Sequence, residues 1–130
     1  MSSPGVIDIN ELLNYATRIG VQAKLDGLAK AQLEGLLASL NMIDDPKASL
    51  LLTSTYAHRQ AERLGRGRNT ARIVNEAMRW LSSRGGDRER ARMLLGFAKW
   101  VFECIENVYL PKLDLNKLTL EDFLKTLRGV

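Results

Sequence analysis

Five times along this chain a capping residue stands before apolar residues that recur three and four positions apart: Asp8, Asp45, Asn69, Asp87 and Thr119. A side-chain oxygen at such a position accepts from a first-turn amide, and the spacing that follows lines one face of a helix. Asp8 and Glu11 form a capping box ahead of Leu12, Leu13, Ala16 and Ile19, which predicts a first helix to about Gln22. Asp26-Gly27 breaks it, and a second helix is expected from Leu28 to Leu40, with Leu33, Leu36, Leu37 and Leu40 on one face. Asp45 as N-cap with Pro46 at the first helical position starts a third, which buries Leu50, Ala57, Ala61 and Leu64 and stops at Gly65.

After the hinge Arg66-Gly67-Arg68, Asn69 caps a fourth helix carrying Ile73, Val74, Ala77, Met78 and Leu81 inward. Gly85-Gly86 ends it. Asp87 then caps a long fifth helix, expected to last until Tyr109, with Pro111 preventing continuation. Thr119 and Asp122 open a short last helix bearing Leu120, Phe123, Leu124 and Leu127. With short connections, no strand candidates and no internal repeat, the expectation is an all-α compact bundle of five to six helices. It is read as one domain over residues 1–130, a core bundle at 7–110 followed by a C-terminal extension at 111–130.

The fifth helix has two apolar stripes. One, Ala91, Leu94, Leu95, Ala98, Val101, Phe102, Ile105 and Tyr109, has the period of a core face. Beside it run Met93, Phe97, Trp100 and Cys104. A helix this apolar is either central to the bundle or shared with another subunit, which makes Met93, Phe97 and Trp100 a candidate protein interface. Cys104 is read as a small buried hydrophobe, not a nucleophile.

Ten of the twelve arginines fall between Arg59 and Arg92. That window has ten basic residues against four acidic ones (Glu62, Glu76, Asp87, Glu89), whereas the rest of the chain has nine basic and eleven acidic. The formal net charge of +4 therefore hides a strong asymmetry, and a localised positive surface is the footprint of a polyanion. Arg59 and Arg63 share a face of the third helix and Arg66 extends their line. Arg68 sits in the hinge, and Arg72 and Arg79, with Asn75 between them, share a face of the fourth helix. Guanidinium forks suit phosphate oxygens, and Tyr15, Tyr56 or His58 could stack on a base. The bland counterpart is a set of solvated helix faces of the kind thermostable proteins carry. Nothing resembles a recognition helix for base edges, so a DNA-reading factor is the weaker nucleic-acid reading.

No catalytic residues are expected. His58 is the only histidine, no glycine-rich phosphate loop occurs, and Glu103 and Glu106 have no histidine with which to hold a metal, so no cofactor or metal site is foreseen. No apolar run approaches the roughly 20 residues of a membrane span. Together with one cysteine and an N-terminus lacking a secretory pattern, this reads as a cytoplasmic protein with no membrane partner.

The order of motifs also carries a resemblance. Ala16-Thr17-Arg18-Ile19-Gly20, then Leu28-Ala29-Lys30-Ala31-Gln32-Leu33, then Leu50 through Gln60 with its Tyr56-Ala57-His58-Arg59, and finally Phe97 through Ile105 resemble the small subunit of type III (Csm-type) CRISPR effector complexes. Small subunits of Cmr-type and archaeal type I-A effectors are also small helical bundles. The resemblance implies a non-catalytic, RNA-contacting architectural subunit that works in antiviral defence. It implies as partners the guide RNA, the target RNA and other effector-complex subunits, with self-association into a short filament. Arg59 matches the family motif directly, while Arg63, Arg66, Arg68, Arg72 and Arg79 join it on charge alone. The alternative is a helical protein–protein module without nucleic-acid binding.

Overall fold

The computed structural model describes residues 6–105 and 114–127. It contains α1 (Ile9–Leu25), α2 (Lys30–Ser39), α3 (Ala48–Leu64), α4 (Arg68–Ser83), α5 (Arg88–Cys104) and α6 (Leu120–Leu127). No strand occurs among the described residues. The all-α expectation holds, and the expected continuation of the fifth helix to Tyr109, with its stop at Pro111, lies outside the described residues.

Local chemistry sets the boundaries. Asp8 accepts from the amides of Asn10 and Glu11, and Asp87 from that of Glu89. α1 runs three residues past Gln22 because Gln22 and Asp26 join side chains across its last turn at 2.9 Å, and only Gly27 leaves helical space. α3 begins at Ala48, two residues after Pro46, yet Asp45 still satisfies its first amides, accepting from Lys47 at 2.9 Å and Ala48 at 3.2 Å. α4 differs more. Gly67, at φ 98°, holds the N-cap position, and the cap oxygen comes from far away in sequence. Asp26 Oδ2 accepts from the Thr70 amide at 3.0 Å and from its hydroxyl at 2.7 Å, so Asn69 stays exposed and is not the cap.

α5 is the central helix, packed against α1, α2, α3 and α4. It comes close to α1 at Gly20, where a Cβ would lie 2.6 Å from the Ala98 carbonyl oxygen and 2.9 Å from Val101. Glycine is required there by contact, not by dihedral angle. The main core unites Leu12, Ile19, Leu33, Leu36, Leu50, Val74, Leu81, Leu94 and Leu95, each nearly or wholly buried. Burial of such a side chain stabilises by about 1.5–3 kcal/mol. A second cluster of Val21, Val101, Ile105, Leu118 and Phe123 holds the C-terminal segment to the bundle. Thr119 Oγ1 caps α6 at the Asp122 amide, and Asn14 on α1 accepts from the Leu120 amide. In α6 only Phe123 is fully buried; Leu124 is half exposed.

The two stripes of α5 separate as core and surface. Ala91, Leu94, Leu95, Ala98, Val101 and Phe102 are buried, whereas Met93 is 47% and Trp100 67% exposed. Phe97 is half-buried between the two clusters. Cys104 is exposed, contrary to the expectation of a small buried hydrophobe, because the bundle covers only one side of α5 at its last turn.

Candidate nucleic-acid interface

α3 and α4 form an antiparallel hairpin whose turn, Gly65 to Gly67, uses two glycines at positive φ to bring the helices back on one another. The buried faces of the two helices meet through Ala57, Ala61 and Ala71, small residues that permit close packing. Their remaining faces point outward. At about 100° per residue, Arg59 and Arg63 lie within roughly 40° of each other on α3, and Arg72 and Arg79 within roughly 20° on α4. The Arg59 ridge runs between the Leu51 and Ser54 side of α3, which faces α4, and the Tyr56 side, which abuts Gly35 of α2.

All six arginines expected to touch RNA are exposed. Arg63, Arg66 and Arg68 gather at the hairpin turn, with Arg59 and Arg72 one helical turn further in. Arg79 stands apart, about 10 Å along α4 from Arg72 at 1.5 Å per residue. Two of the six are already engaged: Arg68 with Glu62 at 3.4 Å and Arg72 with Glu76 at 2.9 Å. Both pairs are solvent-exposed and therefore weak, so a phosphate can replace the carboxylate at little cost. Arg59, Arg63, Arg66 and Arg79 make no ion pair or hydrogen bond with any described residue.

The other arginines of the basic window occupy the opposite end of the bundle. Arg88 donates to the Ile43 carbonyl and, at 3.1 Å, to Ser49 Oγ, tying α5 to the entry of α3. Arg92 pairs with Glu89 and donates to Asn41 Oδ1 at 2.8 Å. Arg84 lines a depression with Asp8, Glu11 and Trp80. Outside the window, Arg18 donates through Nε to the Leu118 carbonyl at 2.8 Å, which fastens the C-terminal segment. Sequence reasoning missed these structural roles. The available signal was position: a cation in the first turn of a helix opposes its dipole, so Arg88 needed a tertiary partner.

Of the stacking candidates, Tyr15 is unavailable. Its ring packs on Trp80 with centroids 5.1 Å apart, and the Arg18 guanidinium lies over it, 5.4 Å from the centroid. Burial, with Glu11 nearby, raises its phenol above the ordinary value. Tyr56 is half-buried against α2. His58 is exposed on α3, its Nδ1 2.9 Å from the Ser54 carbonyl.

Between α3 and α4, on the Arg79 side, lies a groove of about 520 Å³. Leu50, Leu51 and Met78 supply apolar surface, Ser54, Asn75, Ser82 and Ser83 polar surface, and Lys47 and Arg79 positive charge. Asp45 also borders it, but its carboxylate is held by the Ala48 and Lys47 amides, which depress its pKa. Among the described residues no group of His, Cys, Asp and Glu is arranged to hold a metal, and no helix is long and apolar enough to cross a membrane. Comparison with protein-family models, with curated proteins and with solved structures finds no match to the chain.

Proposed function

We propose that this protein is a non-catalytic, RNA-contacting architectural subunit of a CRISPR ribonucleoprotein effector, with the outer face of the α3–α4 hairpin against the guide–target RNA path. The observation that supports RNA contact is the cluster of exposed arginines without partners among the described residues, Arg59, Arg63 and Arg66, continued by Arg79. Guanidinium groups kept in water and unpaired stay available for phosphate, and their mutual repulsion is relieved when one binds. The CRISPR class rests on the sequence resemblance around Arg59, and the cytoplasmic setting follows from that class.

The test is a titration of single-stranded RNA at several salt concentrations. Five phosphate contacts give a log–log slope of about −3.5, at roughly −0.7 per contact on a single strand. Arg59→Glu with Arg63→Glu reduces the slope by at least two contacts and weakens binding more than tenfold, while leaving thermal stability nearly unchanged. RNA affinity that survives both reversals disproves the reading.

A second reading, a helical protein–protein module without nucleic-acid binding, draws support from the exposure of Met93 and Trp100 on α5. With Leu13, Gly96 and Phe97 they line a shallow apolar depression. A partner captured through Trp100 and retained after nuclease treatment, by a protein with no affinity for RNA at low salt, selects this reading.

A further inference from the structure

Resting on the RNA-contact reading, we propose that the groove between α3 and α4 seats one unpaired nucleobase of a single-stranded RNA, with Arg79 on the adjoining phosphate. The substrate class of the basic face is then single strand in preference to duplex. Three observations carry this. The groove, at about 520 Å³, falls in the range of small-molecule pockets and exceeds what one base occupies. Leu51 is 72% exposed on its lip, a large apolar side chain left in water one turn from the polar Ser54. Arg79, distant from the hairpin turn and without an ion pair or hydrogen bond to any described residue, also lines this groove.

The chemistry is two-sided in the way a nucleotide is. A base has apolar faces and a polar edge: the exposed Leu51 can cover a face above a floor at the nearly buried Leu50 and Met78, while the Asn75 amide can both donate to and accept from the edge, with the Ser54 and Ser82 hydroxyls nearby. Lys47 and Arg79 complement the phosphate charge. The Asp45 carboxylate at the α3 entrance, already engaged by two amides, repels phosphate there and directs the backbone toward Arg79 and on to Arg72. A base paired within a duplex offers neither face nor edge to such a groove without leaving the stack.

The experiment uses the full chain with a short oligouridine strand carrying one 2-aminopurine, and the same strand annealed to its complement. Leu51→Ser and Ser82→Leu change the groove without changing charge, at exposed positions where the fold tolerates them. The expected result is a 2-aminopurine fluorescence change on binding of the single strand. Single-strand affinity falls five- to tenfold in either variant, and duplex affinity stays within twofold. Arg59→Glu with Arg63→Glu weakens both RNAs alike. If strand and duplex bind equally and neither groove variant discriminates between them, the groove proposal fails while the phosphate-contact reading stands. If the wild-type chain binds neither RNA at low salt, both fail. Loss of a protein partner in the groove variants with RNA affinity intact also overturns the proposal, and assigns the groove to that partner.

Discussion

At the hairpin end of the bundle Arg59, Arg63 and Arg66 are exposed and have no acceptor among the described residues, whereas at the α4–α5 end Arg88 and Arg92 are spent on Ile43, Ser49, Asn41 and Glu89. The two groups come from one basic stretch of sequence and are separated by the length of α4. What divides them is the supply of acceptors. The loop from Asn41 to Asp45 ends near the start of α5 and presents a carbonyl and an amide oxygen there, while at the hairpin end Glu62 is taken by Arg68 and the Asp26 carboxylate is already engaged by Gln22 and Thr70. A guanidinium bound to a carbonyl holds helices together and is lost to ligands. One left in water is worth nothing to the fold.

The comparison can be broken most forcefully at Arg88. Arg88→Ala leaves the Ile43 carbonyl and the Ser49 hydroxyl without their donor, and costs about 1–3 kcal/mol of stability in a denaturant titration. RNA affinity stays within twofold; a variant of normal stability but weakened RNA binding would place Arg88 among the ligand-facing arginines after all. A smaller effect sharpens the hairpin side. Glu62→Gln together with Glu76→Gln releases Arg68 and Arg72, and RNA binding tightens about threefold at low salt, within the ~0–1 kcal/mol that exposed pairs are worth. Unchanged affinity would remove these two arginines from the contact set.

The smallest effect concerns acid. Asp45 has its folded pKa depressed below the ordinary 3.8 by two backbone amides. Its contribution is therefore complete above pH 3.8 and disappears as pH falls through the depressed folded value. Asp45→Asn flattens that part of the stability–pH curve, read by circular dichroism at graded acid pH. A variant curve parallel to the wild type's through that range would show that the cap carries no charge-dependent stability.

Helix number, order and most caps were legible in the sequence because they depend on neighbours a few residues apart: Asp8, Asp87 and Thr119 do what their spacing demands. So were the outward positions of Arg59, Arg63, Arg72 and Arg79, which follow from helical period once the apolar face is known. What escaped depends on distant partners. The cap of α4 comes from Asp26, the acceptors of Arg88 come from the loop before α3, and the exposure of Cys104 depends on how much of α5 its neighbours cover. The groove could not be foreseen either. Leu51, Asn75 and Arg79 belong to two helices whose register is set by the turn between them.

The bond from Asp26 to Thr70 spans 44 residues and runs from earlier chain to later. The opening turn of α4 is therefore completed by an oxygen at the end of α1. An excised hairpin peptide has no such anchor for its second helix, and the arginines it carries lose the fixed spacing that the intact bundle gives them. The proposed grip on a phosphate chain would in this sense depend on the other half of the molecule, through the Asp26 carboxylate at the end of α1.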